Sequence, residues 1–118
     1  ALASSIAHDS HNVVVVGADD ADMLLAIQEV VSMRGGLAVT AGGEVLASLP
    51  LPVAGLLSLE PLEVVVEQFE KVETKVRELG CALPAPFAAL SFLASPVIPE
   101  LRLTDKGLVD VAAFKIIE

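Results

Sequence analysis

Residues 37–49 are the firmest part of the pattern. Two apolar-rich runs, Leu37-Ala38-Val39-Thr40-Ala41 and Glu44-Val45-Leu46-Ala47-Ser48-Leu49, are separated only by Gly42-Gly43. A two-residue link between antiparallel strands requires left-handed backbone, which glycine adopts without the steric cost that other residues incur. The segment therefore predicts a β-hairpin. Two strands alone do not make a stable domain, so the flanking segments have to supply what packs on them.

Leu2, Ser4 and Ile6 alternate with Ala3, Ser5 and Ala7 in a short extended segment, expected to be an edge strand. Residues 13–16 are four valines bounded by Asn12 and Gly17, the pattern of a fully buried strand. Asp19, Asp20 and Asp22 then crowd the start of a segment in which Met23, Leu24, Ile27, Val30 and Val31 recur at helical spacing, ended by Gly35 and Gly36. This predicts a capped amphipathic helix. A strand, a glycine and a helix in succession also describe a phosphate-binding turn. Here Gly17 stands alone and three carboxylates occupy the place of the anion, which argues against a nucleotide.

Pro50 and Pro52 stop regular structure, and the apolar residues 53–57 are expected as a buried connection. Ser58 is a candidate cap for a second helix with Pro61 in its first turn. Leu62, Val65, Val66, Phe69, Val72, Val76 and Leu79 follow at three- and four-residue steps, the stripe of a helix that covers a sheet face. Glu67 with Lys71 and Glu73 with Arg77 solvate its outer side. Residues 87–95, framed by prolines, fit a short buried helix or a strand equally well. Leu101, Leu103, the turn 104–107 and residues 108–117 read as another hairpin. The expected fold is α/β of the α+β type: a mixed or mainly antiparallel sheet with two principal amphipathic helices, in one domain over residues 1–118.

The chain carries 54% hydrophobic but only 3% aromatic residues, so its core is built from Val, Leu and Ala. That apolar share exceeds what a small globule ordinarily holds, and the Pro- and Leu-rich blocks at 49–56 and 87–98 are expected either inside the domain or against a partner. A net charge of −9, with seven Lys and Arg scattered and no interleaved aromatics, excludes nucleic acid and anionic membrane surfaces as partners. The prolines also exclude a membrane span. Residues 87–95 reach only about 14 Å as a helix, against a hydrocarbon core of about 30 Å. No secretory leader pattern opens the sequence, and the lone Cys81, read as a small buried hydrophobe, fits a reducing compartment, so a cytoplasmic location is expected.

The chemistry of the chain is concentrated in His8-Asp9-Ser10-His11-Asn12, which holds both histidines. Imidazole titrates near neutral pH, and a neighbouring carboxylate can fix its tautomer, so the loop has the inventory for general acid–base work. Two histidines are too few for a free-standing metal centre, and no Gly-x-Ser-x-Gly turn surrounds Ser10 to make it a nucleophile. The same polar side chains would equally well satisfy one another and the backbone in a tight connection.

Taken together, the blocks at residues 5–12 (Ser-Ile-Ala-His-Asp-Ser-His-Asn), 49–56 (Leu-Pro-Leu-Pro-Val-Ala-Gly-Leu), 79–81, 86–87, 90–93, 96–101 (Pro-Val-Ile-Pro-Glu-Leu) and 103–111 resemble the C-terminal domain of bacterial and archaeal adenine deaminases, members of the amidohydrolase superfamily. The resemblance implies hydrolytic deamination of adenine to hypoxanthine and ammonia, in purine metabolism and adenine salvage, by a much longer parent enzyme. The divalent metal (Mn, Fe or Zn) would be bound by a (β/α)8 barrel, whose His-x-His motif is missing from this sequence. No metal ligand or cofactor is expected in this segment, which alone should be inactive. The resemblance implies a catalytic contribution from His8, Asp9 and His11 and substrate contacts from Ser10 and Asn12, in a loop facing the barrel. Expected partners are the catalytic barrel, adenine and further copies in a homo-oligomer. The rival reading is a free-standing small-molecule-binding, regulatory or oligomerisation module without catalysis.

Overall fold

Gly42 and Gly43, with φ of 62° and 79°, join β3 (Gly36–Ala41) to β4 (Glu44–Pro50), and Ala41 pairs with Glu44 across the two-residue turn. The expected hairpin is therefore present in this computed structural model, which describes residues 1–7 and 10–117. A bulge between Val39 and Thr40 puts Leu46 out of the pairing register. In chain order the remaining elements are β1 (Leu2–Ser4), β2 (Val14–Val16), α1 (Asp20–Ser32), α2 (Leu62–Glu78), α3 (Pro86–Leu93), β5 (Leu101–Thr104), β6 (Gly107–Asp110) and β7 (Lys115–Ile116). They form a four-stranded sheet in the order β2-β1-β3-β4 and a three-stranded sheet in the order β5-β6-β7, and every strand pairing is antiparallel.

The alternation of side chains along β3 decides which helix covers which face. Leu37 and Val39 join Leu49, Leu51, Val72, Val76 and Phe87 in the main core, on the side of α2 and the start of α3. Ala38 points the other way and meets Ala3, Ala26 and Val30, so α1 covers the opposite face through small side chains. The architecture is an α+β domain with helices on both faces of its larger sheet, as expected in class.

The acidic start of α1 serves the fold. Asp19 caps the helix by accepting from the Asp22 N–H at 3.0 Å. The Asp22 carboxylate accepts from the Gly42 and Gly43 N–H groups at 2.9 and 2.8 Å, and its carbonyl accepts from Thr40 Oγ1 at 2.7 Å. The hairpin tip is thereby tied to the helix N-terminus. The Gly43 N–H, and after it that of Gly42, holds the Asp22 carboxyl below its ordinary value of 3.8. A depressed folded value means that this tie is fully present above pH 3.8 and is lost as the pH falls below that through the folded value. Asp22→Asn is expected to lower the melting temperature near neutral pH, and the gap to the parent should close in acid. A pH-independent gap in thermal unfolding would show that the charge is not what matters.

Several expectations are corrected. The first strand is not an edge: β1 pairs with both β2 and β3, because the hairpin returns beside it. The valine strand β2 is the edge instead, and Val13 and Val16 are 43% and 46% exposed. Residues 53–57 form a tight turn with Gly55 buried but Leu57 exposed, so the connection is only partly covered. Gly55 is held by Ser5, whose hydroxyl donates to the Gly55 carbonyl at 2.6 Å and accepts from the Gly36 N–H at 2.8 Å. Ser58 does not cap α2; its hydroxyl accepts from the Glu60 N–H, and Pro61 precedes the first turn without a side-chain cap. On α2 only Val72 and Val76 are fully buried, while Leu62, Val66 and Phe69, and Leu79 just past its end, stay exposed. The two expected ion pairs on its outer side are present. Residues 86–93 resolve as a third helix, with Pro86 in its first turn. The C-terminal hairpin is a separate sheet, in which residues 108–117 divide into β6, a turn and β7. Cys81 is half-buried at the rim of the main core rather than inside it.

Candidate functional site

The polar loop leaves the sheet at Ala7, which is buried. Its carbonyl accepts from the Ser10 N–H at 3.0 Å and the His11 N–H at 2.6 Å, and Ser10 Oγ approaches the same oxygen at 3.5 Å. One carbonyl thus closes a turn. His11 takes a left-handed backbone, φ 54°, and stands exposed at its outer side, while Asn12 is half-buried and leads into β2. His8 and Asp9 lie outside the described residues.

What the loop meets comes from the other end of the chain. Ser10 and Asn12 share a shallow groove of about 310 Å3 with Pro96, Thr104, Asp105 and Lys106. Asn12, Thr104 and Asp105 also form the polar end of a larger groove of about 580 Å3, whose other walls are Val13–Val16, α3 and the leucines of β5 and β6. The turn of the C-terminal hairpin is stiffened by Thr104 Oγ1, which donates to the Gly107 carbonyl at 2.9 Å and accepts from the Lys106 N–H at 3.2 Å. Hydroxyl, amide, carboxylate and ammonium groups therefore gather where an apolar groove ends. That combination can orient a molecule that carries both an apolar body and hydrogen-bonding edges.

Of the five residues singled out from sequence, Ser10 and Asn12 are brought into one groove, and His11 stands at its approach without lining it. Thr104, Asp105 and Lys106 were legible only as a hairpin turn. Their polarity is that of any turn, and only the return of the chain sets them beside Asn12. Among the described residues, no three of His, Cys, Asp and Glu come together in a way that could hold a metal ion. No helix among them is long and apolar enough to cross a membrane. The Pro- and Leu-rich blocks differ: Leu49, Leu51, Phe87 and Leu90 are interior, whereas Leu93 and Val97 are exposed.

The family model described as the adenine deaminase C-terminal domain matches residues 1–115. The chain belongs to that family. As an adenine deaminase C-terminal domain it is 62% identical, over 117 residues and 99% of its length, to the adenine deaminase of Dehalococcoides mccartyi, covering 20% of that protein. It is 56% identical over 99% of its length to the adenine deaminase of Desulfatibacillum aliphaticivorans, and 52% identical over its whole length to that of Archaeoglobus fulgidus, covering 21% of each. The domain thus spans about one fifth of the length of the relatives it matches.

Proposed function

We propose that this chain acts as the C-terminal domain of an adenine deaminase, an enzyme that hydrolyses adenine to hypoxanthine and ammonia, and that the loop 8–12 lies at the edge of the active site. One observation carries the reading: relatives named adenine deaminase match the chain over 99% of its length or more at 52–62% identity, each with this chain as about a fifth of the whole. A catalytic barrel elsewhere in the enzyme would hold the divalent metal, Mn, Fe or Zn, which would supply the activated water for the hydrolysis. The described residues of this domain gather no ligand set for that ion. The domain contributes through the side chains of the loop 8–12: His8, Asp9 and His11 hold or relay a proton, and Ser10 and Asn12 hydrogen-bond the purine edge. The enzyme is placed in the cytoplasm, in adenine salvage, as a homo-oligomer.

Support for the loop is geometric. The turn closed on the Ala7 carbonyl holds Ser10 and Asn12 toward one groove and leaves His11 open to a neighbouring body. Alanine at His8, Asp9 or His11, in the longest polypeptide that the gene encodes, is expected to lower kcat/KM for ammonia release from adenine about tenfold, the effect of about 1.4 kcal/mol. Unchanged kcat and KM in all three variants, with folding intact, would remove the loop from the active site. Ammonia release by residues 1–118 alone, with Mn2+, Fe2+ or Zn2+ added, would overturn the assignment of the chemistry to a barrel.

A further inference from the structure

The larger groove is more apolar than a polar substrate needs, and its walls are unfinished. β2 is an edge strand whose consecutive valines line the groove, so its unpaired backbone N–H and C=O groups border it, while the C-terminal sheet closes it with the face of β5 and β6 that carries Leu101, Leu103 and Leu108. Val13, Val16, Leu93, Leu101, Leu103 and Leu108 line it, all exposed, with Leu103 66% and Leu93 52% open to solvent. Among the described residues that line it, Asp105 is the only charged one.

We infer that this groove receives an extended, apolar segment from the remainder of a longer polypeptide, which adds a strand to the open edge of β2, packs under the leucine face of β5 and β6, and seats the domain. The inference rests on the reading of the chain as part of an adenine deaminase. The relatives carry about four fifths of their length outside the matched region, so there is ample chain to provide such a segment. Strand edges select an extended occupant, because main-chain hydrogen bonds supply affinity and alternate side chains enter the apolar channel. Charge sets the polarity of its end. Asp105 repels a carboxylate and favours a Lys or Arg beside it. A second copy of this chain is a poorer occupant, since it would bring two bodies of net charge −9 together. Asn12 lines the groove, so a segment seated in it brings Asn12 to the seam with the rest of the enzyme.

The test places a photo-reactive benzoylphenylalanine at Leu103 and, separately, at Leu93 in the longest polypeptide that the gene encodes. Both positions are exposed, one on α3 and one on β5, so the replacement leaves the core untouched. Irradiation is expected to give a cross-link within one polypeptide, from both positions to the same segment outside residues 1–118. Cross-links that join two copies, or none at either position, would overturn the inference. Ammonia release from adenine is measured on the same preparations. Deamination without the cross-link overturns the groove assignment alone, and the cross-link without deamination overturns the activity alone.

Discussion

Leu37→Ala is expected to destabilise the domain by about 3–5 kcal/mol, a large share of the roughly 5–15 kcal/mol that holds a domain folded. Leu37 is the largest fully buried side chain, and it lies where the sheet, α2 and α3 meet, against Leu49, Val72, Val76 and Phe87. Truncation there removes the transfer free energy of the side chain and leaves a cavity that three layers, each tied to the others, close only in part. Urea unfolding should show the midpoint falling with the slope unchanged. A loss below about 1 kcal/mol would mean that the core collapses around the gap and is looser than its burial implies.

Gly36→Ala should cost about 3 kcal/mol or more, for a reason unrelated to apolar burial. Gly36 begins β3 at φ 145°, and a Cβ built there lies 2.1 Å from the Leu49 carbonyl oxygen and 3.1 Å from Met33 Cε. The first obstacle is backbone of the paired strand, which cannot swing away without opening the ladder. Gly42 separates this from simple conformational preference. It also has positive φ, 62°, but a Cβ there meets nothing within 4 Å, so Gly42→Ala should cost only about 1–2 kcal/mol. Equal losses at the two positions in thermal or urea unfolding would show that the contact with Leu49 is not the cause.

The candidate site was half legible. Both histidines, with Asp9, Ser10 and Asn12, mark themselves as the polar interruption of an apolar chain. Thr104, Asp105 and Lys106 carry no such mark, since the same residues at any exposed hairpin turn would read alike. Their place beside Asn12 follows from the way β5 and β6 fold back over the end of β2, a relation between residues more than ninety positions apart.

The elements themselves follow from local chemistry. Gly42-Gly43 dictates the hairpin, Asp19 caps α1, and the spacing of Val65, Val72 and Val76 makes α2 a helix with one buried side. These are short-range preferences, complete within one or two turns of chain. Which strand is interior and which is edge is another matter. The four valines at 13–16 have the composition of a buried strand, yet β2 ends the sheet, and the plainer Leu2–Ser4 lies within it because β3 returns to pair with it. Residues 87–95 fit helix or strand alike as sequence, and the fold makes 86–93 the helix α3, with Phe87 in the main core. Sheet order, the second sheet and the open groove depend on pairings between distant segments. Their free energy exists only once those segments meet, so no local pattern along the chain can encode them.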